Sequence, residues 1–314
     1  MDWFAAGGPL IAVRGIHFAA TAVVAGTLVF GTVVAKPASL SEQPVARMLR
    51  TQSLRAASIA LAVALLSGAA WLSLQAASMS GLPLGEAMTS QVLSTVLNQT
   101  QFGVVTEMRS VLAIFLAACL AFDRLPMAVW LALAAALGLT ASIAWTGHAA
   151  STPGELGNLH LAADALHLVA AASWVGGLLP LTLLLASVRR DAATSASLAR
   201  DATRRFSTLG IVCVATLVVT GVVNAWILVG SFHALLVTEY GQVLAIKLGV
   251  FALMLAFAAV NRFALTPQLA AASGNQREAL QKLARNSFVE IGLGFAIFAL
   301  VGMLGTLHPA IHFS

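Results

Sequence analysis

The chain has few charged residues and almost no cysteine. Only 9% of its 314 residues are charged and 59% are hydrophobic, whereas about a quarter of the residues of a soluble protein are charged. Cys119 and Cys213 both lie within apolar stretches, so neither a disulfide framework nor a Cys-x-x-Cys metal site is predicted. The GxxxxGK[ST] loop of ATPases and the GxSxG motif of hydrolases are missing too. These absences predict a membrane protein that is not an enzyme.

Eight apolar stretches are long enough to cross a bilayer as helices, for which about 20 residues are needed. We therefore predict an all-α integral membrane protein with about eight transmembrane helices, forming a single membrane domain over 1–314. Segment 80–101 is too polar to span and is predicted to be an interfacial helix. The eight predicted spans are roughly 10–35, 56–79, 102–122, 126–147, 160–187, 207–232, 240–263 and 287–308.

The basic residues predict the orientation of these spans. The loops between helices 1 and 2, 3 and 4, 5 and 6, and 7 and 8 hold 14 of the 17 basic residues, among them Lys36, Arg189 and Arg190. Since loops rich in Lys and Arg stay in the cytoplasm, both termini are predicted to be periplasmic. The positive charge is thus assigned to membrane orientation, and no nucleic-acid partner is predicted.

All seven histidines fall at the predicted outer face. A single histidine near a loop is common, but no histidine is predicted at the opposite face. The seven are His17 in helix 1, His148 after helix 4, His160 and His167 in helix 5, His233 after helix 6, and His308 and His312 after helix 8.

Three sequence matches recur in the same order, four helices apart. RGIHFAATAVVAGTL (14–28) aligns with DALHLVAAASWVGGL (164–178), which pairs His17 with His167. FGVVTEMR (102–109) aligns with YGQVLAIK (240–247), which pairs Arg109 with Lys247, and TGH and GTLH both end a span. We predict a 4+4 parallel repeat with halves of roughly 1–155 and 156–314, related by an axis along the membrane normal.

The repeat predicts a polar layer beneath the outer surface. His17 and His167 both lie about 10 Å inside the outer ends of their helices, at 1.5 Å per residue, and Glu107, Arg109 and Lys247 lie at a similar depth. Two interpretations of the charged residues stay open: they support a site, or Glu107 simply neutralises Arg109 or Lys247.

Helix 5 carries a stripe of residues suited to a transition metal. His160, Asp164, His167 and Trp174 share one face at helical spacing. Imidazole is a ligand for copper, zinc, iron or nickel, and a carboxylate can bind the metal or hold the second ring N–H. The predicted metal ligands are His17, His148, His160, His167 and His308. Supporting roles are predicted for Asp164, Trp174, Glu107, Arg109, Lys247, His233 and His312.

Five motifs follow one another along the chain: TGHA (146–149), Asp164 with His167, Trp174, Gly176 and Gly177, Tyr240-Gly241 with Lys247, Asn261-Arg262, and LHP (307–309). Together they resemble the copper resistance protein D (CopD) family over nearly the whole chain. The resemblance implies a bacterial inner-membrane protein of copper uptake, which works with a small periplasmic copper carrier of the CopC type. The family's motif histidines correspond to His148 and His167.

Three functions remain open from the sequence. The leading hypothesis is a permease that takes copper, as Cu(I) or Cu(II), from a periplasmic donor at the histidine site. The first alternative is an electron-transfer protein, because transmembrane histidines also ligate b-type haem. The second is an assembly factor that does not transport copper.

Overall fold

The computed structural model describes residues 7–35, 44–188, 194–270 and 276–313, and contains no strand within them. All eight predicted spans are present as helices. The basic residues Lys36, Arg189 and Arg190 lie outside the described residues. The spans are α1 (Gly8–Val34), α2 (Ala46–Ser80), α3 (Gln101–Ala121), α4 (Pro126–Thr146), α5 (Gly154–Ser187), α6 (Ser197–Val229), α7 (Glu239–Leu269) and α8 (Glu278–Leu304).

Several spans are longer than their apolar stretches. The helix that contains α2 begins at Pro44 rather than 56, and the helix that contains α6 begins at Thr194 rather than 207. Hydropathy marks only the part of a helix that fits the hydrocarbon core, and the backbone hydrogen bonds continue beyond it. Segment 80–101 is helical as predicted, in two pieces, Leu84–Ala87 and Ser90–Gln99.

Helices α1 and α5 form the centre of the bundle. In each of them 72% of the most apolar window is buried, compared with 17% in α6 and in α7. Helix α1 packs against α2, α4, α5 and α8. The outer helices expose large apolar side chains such as Val111 and Phe263, which is the expected surface of a protein in lipid.

Helices α1 and α5 cross at two glycines that the sequence alignment pairs. A Cβ atom on Gly26 would meet the carbonyl oxygen of Ala172 and the backbone of Gly176. Reciprocally, a Cβ atom on Gly176 would meet the carbonyl oxygen of Ala22 and the Cα of Gly26. Residue i of one helix thus contacts residue j of the other and vice versa, which is the contact pattern of a two-fold axis.

Replacing Gly176 with alanine is expected to destabilise the protein by about 3 kcal/mol, because the added methyl group overlaps backbone that cannot move without separating α1 from α5. The matched control is Gly292→Ala in α8, where a Cβ atom meets nothing within 4 Å. Thermal unfolding in detergent measures both. Equal unfolding temperatures for the two variants would mean that the crossing is looser than described.

Both ends of the bundle can be identified from contacts. Gly230, between α6 and α7, lies against Ile311, and Gly305 at the end of α8 lies against the guanidinium of Arg14. The connections that carry His148, His233 and His308 therefore lie at one end, called here the histidine end. The other end is called the basic end.

Candidate functional site

A cavity of about 380 Å³ opens near the histidine end, lined mainly by the second half of the chain and also by α1 and the segment after α4. It is called here the outer cavity. Three of the predicted metal ligands, His148, His160 and His167, line it together with Asp164 and Lys247. The helix-5 stripe predicted from the sequence therefore does face protein, and its polar side chains meet others from α6, α7 and the segment after α4. These others include Asn224, Tyr240 and His148.

The hydrogen bonds of His167 fix its tautomer. The Thr220 hydroxyl donates its one proton to the carbonyl oxygen of Thr216 at 2.6 Å. Since Thr220 Oγ1 also lies 2.9 Å from His167 Nδ1, it must accept that second bond, and Nδ1 must carry the proton. His167 Nε2 is then the nitrogen with a lone pair, which is the form of imidazole that binds a metal.

Charged and polar side chains surround His167. Lys247 interacts electrostatically with both His167 and Asp164. Asn224 donates a hydrogen bond to Asp164 Oδ1 at 3.3 Å, while its own carbonyl oxygen is buried without a hydrogen-bond partner. The outer cavity is thus lined by a carboxylate, an amide oxygen and an imidazole with a lone pair. Lys247 supplies the positive charge among them.

The other two histidines of the cavity have hydrogen bonds of their own. His148 Nε2 donates to the carbonyl oxygen of Leu304 at 3.2 Å, and its ring packs edge-on against Tyr240. His160 is 1% exposed, and its Nδ1 is 2.8 Å from the Thr152 hydroxyl. His148 and His160 are close enough to interact electrostatically.

His17 has similar neighbours in the first half of the chain, but both of its ring nitrogens are hydrogen-bonded. Its Nδ1 lies 3.0 Å from the carbonyl oxygen of Ala64, which can only accept, so Nδ1 carries the proton. Its Nε2 therefore accepts from the guanidinium of Arg109. Arg109 also donates to Leu139 O and to Ser142 Oγ. Both ring nitrogens of His17 are thus engaged, and His17 does not line the outer cavity.

The surroundings of His17 and His167 match position by position. Ser67 Oγ is 3.1 Å from His17 Nδ1, and Thr220 Oγ1 is 2.9 Å from His167 Nδ1. Each of these hydroxyl residues is followed by a glycine on which the histidine ring packs. Arg109 and Lys247, paired by the alignment, occupy corresponding places. The two settings differ in that the longer Arg109 contacts its histidine directly, whereas a cavity adjoins His167.

The remaining predicted site residues are placed less centrally. Glu107, His233 and His308 are exposed, and none of them lines the outer cavity. The acceptors of Arg109 among the described residues include no carboxylate, so Glu107 does not neutralise it there. The side chain of His312 lies outside the described part of the structure.

The five predicted metal ligands are not all brought together: His148, His160 and His167 share the outer cavity, whereas His17 and His308 do not line it. Within the described ranges, no three side chains of His, Cys, Asp or Glu are close enough together to hold a metal ion. The assignment of these histidines as metal ligands stays a prediction.

Comparison with known proteins decides the family. The family descriptions "Copper resistance protein D-like, N-terminal domain" and "Copper resistance protein D" match residues 4–158 and 200–304. Copper resistance protein D of Pseudomonas syringae pv. tomato is 32% identical over 219 residues, which cover 68% of this chain and 71% of that protein. The chain belongs to the copper resistance protein D family.

Two further relatives extend this result. The inner membrane protein YebZ of Escherichia coli (strain K12) is 29% identical over 301 residues, which cover 95% of this chain and 98% of that protein. The copper transport protein CutJ of Bacillus subtilis (strain 168) is 37% identical over 129 residues, 41% of this chain and 23% of its own length. No solved structure matches the chain significantly. This member of the family is thus a copper-related, multi-pass protein of the inner membrane, as predicted.

Sequence reasoning overlooked the partners that set the histidine tautomers. Ser67 and Thr220 lie in apolar helices and belong to none of the motifs described above, yet each holds a histidine. A signal does exist, because Ser67-Gly68 and Thr220-Gly221 are hydroxyl-glycine pairs on corresponding helices of the two halves. Arg14, which lines the outer cavity and whose guanidinium lies 4.9 Å from the Trp71 ring centroid, was also overlooked.

Proposed function

We propose that this protein is a permease that takes up copper as its substrate through the outer cavity. His167 Nε2 is the proposed primary ligand, with His148 and His160 on the way to it. The observation that carries the proposal is the His167 tautomer, because the bond to Thr220 leaves the metal-binding nitrogen as a lone pair beside a cavity. We propose no catalytic reaction for the protein.

Asp164 and Lys247 have linked roles in this proposal. A buried carboxylate needs a positive partner, and Lys247 supplies that charge when no copper is present. Copper entering beside His167 would take over the role of the Lys247 charge. In the first half the guanidinium of Arg109 already fills the corresponding position, so His17 is proposed to stabilise the bundle rather than bind the substrate.

The source of the copper is proposed to be periplasmic. The orientation from the positive-inside rule places the histidine end in the periplasm, where a small copper carrier of the CopC type would deliver the ion. His233, His308 and His312 would form a collecting shell around the mouth. Exposure of His233 and His308 is consistent with this role.

The 4+4 parallel repeat is part of the same proposal. Support comes from the reciprocal contacts at Gly26 and Gly176. It also comes from the matched hydroxyl, glycine and basic residue around His17 and His167. A duplication that kept the scaffold in both halves and left a cavity beside the histidine of the second half alone would give this arrangement.

Metal analysis of the protein purified in nanodiscs tests the proposal, combined with an absorption spectrum. Stoichiometric copper without a Soret band is expected, and proteoliposomes should accumulate copper from an added copper-loaded carrier. A Soret band would favour the haem alternative. Stoichiometric binding without accumulation in proteoliposomes would contradict transport.

Replacing Thr220 with valine is expected to weaken copper binding about tenfold or more, because the partner of the second ring nitrogen orients a ligating histidine. The matched control is Thr216→Val, whose side-chain hydroxyl bonds to Val212 O and not to His167. Equilibrium competition with a chromogenic copper chelator measures both affinities. Equal affinities in the two variants would show that Thr220 does not position the ligand.

A further inference from the structure

A second cavity, of about 460 Å³, lies among α5, α6, α7 and α8 toward the basic end. It is called here the inner cavity. Trp174 lines both the inner and the outer cavity, is 3% exposed, and stands edge-on to Phe251. It belongs to a π-helical segment of α5, Ala172–Gly176, and such segments are frequent at functional sites. A single indole thus stands between the outer and the inner cavity.

Glu290 is the acidic residue of the inner cavity. It lies within the α8 span and is 2% exposed. Asn261 donates a hydrogen bond to Glu290 Oε1, and Asn286 in turn donates to Asn261 Oδ1 at 2.9 Å. The ion pairs of the described residues join Arg50 to Asp123 and Lys282 to Glu278, and neither includes Glu290.

Two hydroxyl groups of the inner cavity have no hydrogen-bond partner. Thr203 Oγ1 and Ser287 Oγ are both buried and unsatisfied, and their residues are 3% and 1% exposed. A buried unsatisfied hydroxyl costs about 1–3 kcal/mol. Two of them beside a buried carboxyl group point to a polar ligand or water in the cavity.

The other charged groups around Glu290 do not neutralise it. Arg262 lines the same cavity, but its guanidinium donates to the carbonyl oxygen and to the hydroxyl of Ser207. Helix α1 has no charged residue after Arg14 and α5 has none after Asp164. The charged residues of α6 and α8 toward the basic end are all exposed, namely Arg200, Asp201, Arg204, Arg205, Glu278, Lys282 and Arg285.

We propose that Glu290 is a proton-binding site of the inner cavity. A carboxyl group buried without a cation must be neutralised by a ligand. Copper fits poorly, because the cavity offers oxygen and no imidazole, thiolate or thioether. A hard metal cation would need several oxygen ligands, yet the Asn261 carbonyl oxygen is engaged by Asn286 and its amide group faces Glu290 as a donor. A proton needs only one carboxylate oxygen.

The position of Glu290 indicates a role for the bound proton in transport. With the outer cavity as copper site, which rests on the function proposed above, a proton on Glu290 could be exchanged on the far side of Trp174 as copper passes. Proton binding itself does not depend on that function. The two ideas can therefore fail separately.

Infrared difference spectroscopy on the copper-free protein in nanodiscs tests the site. A pH titration in choline chloride should show the carbonyl stretch of a protonated carboxylic acid that disappears as the pH rises. The band should be missing from Glu290→Gln, in which the amide oxygen can still accept from Asn261. It should remain in Asp164→Asn, the matched control at the other buried carboxyl group.

Two outcomes would overturn the assignment. One is a spectrum of Glu290→Gln with the same acid band as the wild type. The other is loss of the band on replacing choline with sodium at constant pH, which would make the ligand a metal cation. Should Glu290→Gln not fold, Glu290→Asp is measured instead, and a shifted pH midpoint is expected, whereas an unchanged midpoint would overturn the assignment. Failure of the copper function would leave all these spectra unchanged.

Discussion

Purified protein in which His167 is replaced by alanine is expected to lose its stoichiometric copper, with binding weakened by more than about a hundredfold. The reason is that His167 lines the outer cavity and its bond to Thr220 through Nδ1 leaves the lone pair on Nε2. Loss of even the partner of a ligating histidine costs about 10–100-fold in metal affinity. Copper content per chain after desalting, together with chelator competition, measures the effect.

The His17→Ala variant is the informative comparison. His17 has a corresponding histidine environment, but its Nε2 accepts from Arg109, so this variant should keep its copper even if it is less stable. His233→Ala serves as the control for an exposed histidine. If folded His17→Ala and His167→Ala lost copper equally, both histidines would contribute to binding, as the sequence predicts. The different roles proposed here for the two histidines would then be wrong.

The Arg109→Met variant is expected to lose about 3 kcal/mol of stability. Arg109 is 7% exposed and its guanidinium joins α1, through His17, to α4, through Leu139 and Ser142. Removing one member of a buried charged network leaves its partners without bonds, at a cost of about 3–5 kcal/mol. The midpoint of unfolding in a titration of mixed micelles with a denaturing detergent measures the loss.

A nearby residue provides the control for Arg109. Glu107→Gln lies on the same helix and is exposed, so its midpoint should equal that of the wild type. Arg109→Met should also keep copper at His167, since the two environments lie in different halves. An unchanged unfolding midpoint in Arg109→Met would mean that the hydrogen bonds of Arg109 do not stabilise the first half.

The positions of the spans were largely predictable because hydropathy reports the hydrocarbon core directly. The predicted helix ends were less accurate, because the helices that contain α2 and α6 begin before their apolar stretches, at Pro44 and Thr194. No periodic signal marks where a helix leaves the lipid, since a polar helical turn is as stable in the headgroup region as an apolar one is in the core.

The histidine site was predictable only in part. The spacing of His160, Asp164 and His167 on one face of α5 identified residues that do share a cavity. The same reasoning grouped His17 with them, because depth in the membrane can be counted along a helix while the direction of a side chain around the helix cannot. Glu290, an isolated acid within an apolar span, carried a usable signal that the search for histidines passed over.

The sequence alone determined that this protein is an eight-helix membrane protein of the copper resistance protein D family, since composition, apolar length and ordered motifs are properties of the linear chain. Tertiary structure decided which histidine has an open lone pair. That outcome depends on which groups of the neighbouring helices contact each ring. The guanidinium of Arg109 donates a hydrogen bond to His17, whereas a cavity adjoins His167. Hydrogen-bond directions of this kind arise from side chains far apart in the sequence, and no local pattern encodes them.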